Sequence, residues 1–326
     1  MQRIKRRISI VISNKKGFQS LYIILQKINL IFFHWNERMH MIHPGKEDKE
    51  STYYVIRPRS NSEGLLSSYF YVLENIIWAL ERNYIPYVDY FGEKCQYHVE
   101  RKINNTLNAW EYFFEQPSKI KHVQLKNKKN VLFSGWYIRD KYQIRTAVQK
   151  EYQKAIFGDV SRLVPIQPYI NEMVKEIWDK KFNGKRTVGV FVRGTDYVRL
   201  KPKAHYVQPT IEQVIEKVNE FIEKYEIEQI YVVTEDYDYY TELEKQFGDM
   251  VFSNDNKFVR NYDSKDFISS SFQDDPYERG LAYLLRILLL AKCEYIVSSK
   301  ANGSLFADLI RQEKSKEEYW FDLGRY

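Results

Sequence analysis

The chain has 326 residues, 44% of them hydrophobic and 29% charged, with a formal net charge of +7. That length and composition exclude a fibrous repeat, a disordered polar chain and one small core, and suggest about two globular domains. The positive balance suits an anionic ligand or an anionic membrane surface; no zinc-finger spacing, RNA-binding aromatic signature or arginine-rich repeat accompanies it, so nucleic acid is set aside.

Residues 1–16 carry Arg3, Lys5, Arg6, Arg7, Lys15 and Lys16 and no acid. The apolar stretch Leu21–Phe33 behind them contains Gln26, Lys27 and Asn29. It is too short and too polar to span a bilayer, and no small-residue cleavage site follows. An amphipathic helix is expected there, either lying on the inner face of a membrane or packed as an ordinary core helix. His34, His40 and His43 share a short segment but lack further ligands, so no metal site is expected from them. Residues 1–50 read as a basic extension ending in a polar, turn-rich linker.

Residues 51–168 open with a strand over Tyr53–Ile56 and a loop holding Arg57, Asn61 and Gly64. A helix follows with apolar residues at helical spacing from Leu65 to Glu81, then a short strand Ile85–Val88 that stops at Asp89. Strand, glycine-containing loop, helix and strand in that order begin a Rossmann-like unit. Asn61, Gly64 and Asp89 are candidates for the side of a cleft that takes an acceptor, although Gly64 would serve equally in a plain turn. The aromatic run Trp110–Phe114 closes at Glu115-Gln116-Pro117, and a second basic run covers Lys119–Lys129. A strand is expected over Asn130–Ile138 and a helix over Arg139–Phe157. Pro165 and Pro168 break the pattern, so a domain boundary is placed at 168.

Residues 169–326 begin with a helix to Lys181 and then alternate. Strands are expected at 187–192, 229–233, 250–252 and 294–298, with helices at 210–225, 237–247, 277–292 and 303–312. That spacing means a parallel sheet with right-handed crossovers. Cys95 and Cys293 have no metal spacing and suit a reduced, cytoplasmic setting. The 27 tyrosines fit cores with polar rims or sugar-stacking clefts.

Ligands of a parallel sheet bind at the carboxyl ends of its strands. Those ends carry Arg193, Gly194, Thr195 and Asp196, then Thr234, Glu235 and Asp236, then Ser253, Asn254 and Asp255, and finally Ser298 and Ser299 with Asn302, Gly303 and Ser304 at the start of a helix. Arg193 offers a planar fork suited to a phosphate, or a structural ion pair with a sheet-edge carboxylate. Asp196 either orients Arg193 or caps the next turn. Ser299 to Ser304 reads as a phosphate cradle at a helix N-terminus or as capping by Asn302. Asp236-Tyr237-Asp238 matches a metal-holding Asp-x-Asp, or Asp236 simply caps the helix behind it. No GxxxxGK[ST], GxGxxG or GxSxG motif occurs, which excludes a P-loop NTPase, a dinucleotide fingerprint and a nucleophile-elbow hydrolase.

These residues as a set resemble a family. Phe-Val-Arg193-Gly-Thr-Asp196 is similar to the His-x-Arg-Arg-x-Asp motif of the α1,6-, α1,2- and protein O-fucosyltransferases. Asn61 to Gly64, Thr234-Glu235-Asp236, the helix Arg279–Lys292 and the Ser299–Ser304 turn follow in the same order. The segments Asn108–Pro117 and Trp320–Tyr326 look like parts of bacterial relatives found in cell-surface polysaccharide gene sets. The resemblance covers residues 52–326. It implies an α/β, GT-B architecture of two Rossmann-like domains with parallel sheets facing across a cleft, GDP-fucose held in the second domain, and a glycan or lipid-linked glycan acceptor. It also implies that Arg193 contacts the donor diphosphate, that hydroxyls near Ser299 and Ser304 touch phosphate, and that neither metal nor cofactor is needed. Two departures stand out. Gly194 occupies the place of the second arginine, for which Lys201 or Lys203 are possible substitutes. No acid lies between Asp196 and Glu212, where the α1,6 enzymes have a proposed base; Glu115, Asp89 and His205 are the candidates to replace it. A metal-dependent transferase using Asp236 and Asp238, and a non-catalytic binding protein, are the alternatives.

Overall fold

The structure, a computed structural model, describes residues 38–59, 63–92, 95–135, 159–203, 205–255, 257–260, 274–311 and 315–326. The expected helices at 21–33 and 139–157, and Asn61, lie outside these residues.

Two mostly parallel sheets form the framework. The first contains β1 (His40–Ile42), β2 (Glu47–Ile56), β3 (Ile85–Val88) and β4 (Lys128–Phe133) in the order β1-β4-β2-β3, with only β1 antiparallel. Helix α1 (Leu65–Leu80) joins β2 to β3, and a single turn, α2 (His122–Leu125), precedes β4. The strand expected to reach Ile138 stops at Phe133. There Ser134 turns its amide to the Val55 carbonyl (2.8 Å) and its hydroxyl to the Arg57 amide (2.9 Å), so a polar residue ends the ladder.

The second sheet follows helix α3 (Pro168–Lys181). It contains β5 (Thr187–Phe191), β6 (Gln229–Val233), β7 (Val251–Phe252), β8 (Tyr295–Ser299) and β9 (Glu317–Phe321), in the order β7-β6-β5-β8-β9 and parallel throughout. Every residue of β5, β6 and β8 is buried, which is what a continuous apolar strand needs when helices cover both faces. The helices are α4 (Thr195–Leu200), α5 (Ile211–Tyr225), α6 (Tyr237–Phe247), α7 (Pro276–Lys292) and α8 (Asn302–Ile310). Helix α5 starts on a capping box in which Thr210 and Gln213 exchange hydrogen bonds. Gly189 is a glycine of space, since a Cβ there would lie 2.7 Å from Leu290 Cδ1 and 3.0 Å from Cys293 Sγ. Helix α7 can therefore press directly on β5.

Each sheet reverses its winding once. In the first, the chain leaves β2 for β3 on one side and returns to β4 on the other. In the second, it leaves β5 for β6 and β7 and returns to β8. Such switch points leave a crevice at the carboxyl ends of the two diverging strands. Here they fall between β2 and β4, and between β5 and β8.

The two sheets share a core. Tyr69 of α1 meets Phe306 of α8 edge to face at 4.6 Å, and Phe113 stacks on Tyr277 at 5.8 Å. Gly280 of α7 lies under Phe113 and Tyr97, where a Cβ would meet Phe113 Cζ at 2.6 Å and Tyr97 Cδ1 at 2.8 Å. Phe113 is fully buried and has no room to retreat. Gly280→Ala should therefore destabilise the protein by about 1–3 kcal/mol, the usual cost of overfilling a packed core. Urea unfolding measures it, and an unchanged midpoint would contradict the packing described.

Candidate active site

Strand β5 ends at the second switch point, and Arg193 is the second residue beyond it. Its guanidinium is clamped. Nε donates to Glu235 Oε1 at 2.8 Å and Nη2 to Asp196 Oδ1 at 2.7 Å. Thr195 Oγ1 adds a bond to the same Glu235 oxygen at 2.9 Å, and the Tyr197 ring lies 4.5 Å from the guanidinium carbon. Nη1 has no hydrogen bond to a described residue, and the side chain keeps 17% exposure. Burial works against the charge, but Glu235 and Asp196 outweigh it, so the arginine pKa rises and the cation is secure. The result is a fixed positive fork with one nitrogen unused.

Asp196 lies inside the first turn of α4, 2% exposed, and forms the ion pair with Arg193. Of the two roles open to it in the sequence, orienting Arg193 is the one seen. The N-cap position of α4 belongs to Gly194, with Asp196 inside the first turn. Asp236 does cap. Its Oδ1 accepts from the amides of Asp238 (2.9 Å) and Tyr239 (3.2 Å), and Thr234 Oγ1 in turn accepts from the Asp236 amide (3.1 Å). Burial raises the Asp236 pKa despite these bonds. Its other oxygen lies against Gly194, where an added Cβ would overlap the carboxylate. The φ of Gly194 is −96°, open to any residue, so space and not backbone conformation demands glycine here. The second arginine of the resembling motif has no room while Asp236 caps α6. Gly194, Thr195, Arg199, Asp236, Asp238 and Tyr239 line a recess of about 230 Å³.

Across the crevice, β8 ends at Ser298, in register with Phe191 of β5, and Ser299, in register with Phe321 of β9. The turn into α8 departs from the expected cap. Ala301 is the N-cap and Asn302 the first helical residue, because the Ser304 hydroxyl accepts from the Ala301 amide (3.0 Å) and donates to the Ser299 carbonyl (2.7 Å). Ser304 is thus spent inside the turn. The Ser299 hydroxyl is buried without a partner among the described residues, and so is Gln208 Oε1, whose amide nitrogen reaches the Lys300 carbonyl at 3.3 Å. Gly303 lets α8 come close. A Cβ there would lie 2.7 Å from the Tyr283 hydroxyl and 2.9 Å from Phe191 Cε2, which brings the helix N-terminus to the strand end that carries Arg193.

The other sheet has a counterpart. At its switch point Arg57 donates from Nη2 to the Ser134 carbonyl (3.0 Å) and lies over the Phe133 ring at 4.8 Å. Asp89, just past β3, has its Oδ2 3.8 Å from His122 Nε2. Burial raises the Asp89 pKa, only partly offset by the Phe91 amide, His122 and Arg57. Gly64 is the N-cap of α1 in an extended conformation, and the Tyr97 hydroxyl accepts from the Leu65 amide at 2.9 Å. Glu115 stands apart from Asp89 and Arg193 in the contacts seen. Its amide donates to the Pro165 carbonyl (2.8 Å) and its carbonyl accepts from Trp110 Nε1 (3.2 Å), both backbone roles.

Tyr97, Tyr283 and Gln208 join the site without a signal of their own in the sequence. The nearest hint is the interruption of apolar helix α7 by Arg279, Gly280 and Tyr283.

Two outcomes follow from this geometry. Gly194→Ala should destabilise by about 1–3 kcal/mol through steric conflict, and Asp236→Ala in the same chain should recover part of that loss. A double-mutant cycle in urea reads the coupling, and additivity would disprove the contact. Asp89 has its folded pKa above its unfolded value, so its penalty to stability is full above the raised pKa and vanishes once pH falls below about 3.9. Asp89→Asn should therefore stabilise the protein at pH 7 and lose that advantage near pH 3.5; equal stabilisation at both values would refute the shift.

No family model matches the chain, and no curated protein matches it. Among solved structures it is similar to the NodZ α-1,6-fucosyltransferase soaked with GDP-fucose, at 15% identity and a TM-score of 0.47 over 84% of this chain and 96% of that one. It is similar to POFUT1 in complex with GDP-fucose at 7% identity and a TM-score of 0.47, over 86% of this chain and 100% of that one. It is also similar to a mutant of Arabidopsis thaliana FUT1 in complex with GDP, at 9% identity and a TM-score of 0.48, over 97% of this chain and 78% of that one.

Proposed function

We propose that this chain is an inverting, metal-independent glycosyltransferase that moves fucose from GDP-fucose to a glycan acceptor, in cell-surface polysaccharide synthesis. The observation that carries the reading is Arg193, a secured cation with a free Nη1, at the β5/β8 switch point beside the N-terminus of α8. A diphosphate fits there, met by a charged fork on one side and by helix amides on the other. The buried, unpartnered Ser299 hydroxyl and Gln208 oxygen supply further polar groups along the same turn. In this reading residues 51–168 form the acceptor domain and 169–326 the donor domain.

The acceptor hydroxyl attacks the anomeric carbon as the bond to the GDP oxygen breaks on the opposite face. Negative charge grows on the leaving diphosphate, and Arg193 stabilises it without reorganisation because Glu235 and Asp196 already fix its plane. The hydroxyl proton passes to a carboxylate on the acceptor side. Asp89 suits this better than Glu115, since it stands at a sheet edge and burial increases its affinity for a proton. Asp236 and Asp238 act in this reading through the structure of α6. The basic segment 1–45 adds attraction to an anionic membrane on the cytoplasmic side.

Arg193→Ala would leave Asp196 buried without its cation, which commonly costs about 3–5 kcal/mol, so the sharper variant is Arg193→Lys. It keeps the charge and loses the fork. Transfer from GDP-fucose should fall about a hundredfold or more, while GDP still raises the melting temperature of wild type above any shift from UDP or CMP. Wild-type turnover by Arg193→Lys would overturn the assignment. Loss of activity with a chelator and its return with Mn²⁺ would favour Asp236 and Asp238 as metal ligands instead. GDP binding without hydrolysis or transfer would favour a binding protein.

A further inference from the structure

The second basic run has no part in the chemistry above, and the fold gives it a definite place. Residues 117–130 carry Lys119, Lys121, Lys126, Lys128 and Lys129 and no acid. They cross the outer face of the first sheet, from Ser118, whose hydroxyl donates to the Pro86 carbonyl of the edge strand β3 (2.6 Å), past β2 to β4. On that face the buried cluster is small: Tyr53, Val55, Tyr87, Leu125 and Val131. Leu125 of α2 is the plug, and the rest of the turn faces outward. Val123 is 59% exposed, the highest value among the large exposed hydrophobics of the described residues. Strand alternation puts Lys129 on the same face as Val131, and Ile42, 37% exposed, is the cross-strand partner of Val131 on β1.

Lys128 is held by Glu47 and Asp48. Lys119, Lys121, Lys126 and Lys129 are exposed, and no ion pair joins them to a described residue. The face therefore presents four uncompensated ammonium groups around an apolar tip. At one border, the His122 ring packs 4.9 Å from Phe91, itself 41% exposed, and its Nε2 faces Asp89.

We infer that this face docks on a bilayer containing anionic phospholipid. The lysines meet lipid phosphates, and Val123, with Phe91 and Ile42, enters the boundary between headgroups and acyl chains. Lysine ammonium groups suit diffuse attraction to a charged surface. Exposed aliphatic side chains between them have a use in a bilayer that they lack on a phosphodiester strand, where aromatic platforms are the rule. The arrangement builds on the acceptor side proposed above, because it sets Asp89 beside the lipid surface and so fits an acceptor carried on lipid. It needs nothing from the donor chemistry.

The test is cosedimentation of the full chain with vesicles of phosphatidylcholine alone and of phosphatidylcholine mixed with phosphatidylglycerol. Binding should require phosphatidylglycerol and weaken with salt. Lys121→Glu with Lys126→Glu should reduce partitioning by at least about tenfold, since each lysine near such a surface contributes about fivefold. Val123→Asp should reduce it at unchanged lysine charge, and Val123→Leu should preserve it. An unchanged melting temperature without nucleotide shows that the variants are folded, and vesicle binding read in the absence of GDP keeps this test separate from that of the donor site. The inference is overturned if wild type ignores phosphatidylglycerol vesicles, if the charge reversals leave binding intact, if the face binds single-stranded RNA in preference to vesicles, or if sedimentation shows it buried between two copies of the chain.

Discussion

Everything at the candidate site depends on the ion cluster of Arg193, Asp196 and Glu235. A guanidinium at the end of a central strand, mostly out of water, is tolerated only when carboxylates compensate it. Asp196 and Glu235 do so from two different elements, the first turn of α4 and the loop after β6. The cluster thus links the β5 crossover to its neighbour and fixes the plane of the arginine before any ligand arrives. The cost is local charge. With Asp236 and Asp238 nearby, the carboxylates around the recess outnumber its cations, so the proposed diphosphate would have to be held by direct bonds and helix amides more than by the general field.

That balance gives Gly194 its meaning. The sequence shows a glycine where a second arginine is expected, which reads as a loss. In the fold it is a trade, because the Asp236 carboxylate that secures α6 fills the volume a side chain would need. One position cannot both carry a second arginine and accept that cap.

How much of this was legible depends on burial. Strands β5, β6 and β8 are buried at every position and stood out as apolar runs. Strand β9 did not, since Glu317 and Glu318 sit on an exposed edge and only Phe321 is buried. Helix α4 was hidden because its six residues are too few for a period, and Lys201 ends it in a left-handed turn at φ 43° just before Pro202. The polar strand ends were readable as a set because a parallel sheet gathers them at one edge. The division of labour within the set was not. Ser304 and Ser299 look alike in sequence, yet one hydroxyl is consumed by its own turn and the other has no partner among the described residues. The aromatic junction of Tyr97, Phe113, Tyr277 and Gly280 depends on contacts between distant segments, which no local pattern encodes.

The loop behind Arg193 is tied to the other end of the sequence. Tyr206 and Arg325 form a bridge, Val207 donates its amide to the Gly324 carbonyl at 3.0 Å, and the Tyr326 amide donates to the His205 carbonyl at 3.0 Å. Gln208, which reaches the Lys300 carbonyl, belongs to that loop. During synthesis the ribosome releases β5 and Arg193 long before residues 324–326 emerge. The 205–208 loop can therefore be tied down only after β9 has emerged, so a nascent chain stalled ahead of that strand would hold a nearly complete sheet with this loop unanchored. Order of emergence, as well as stability, decides when this loop can take its final place beside the sheet.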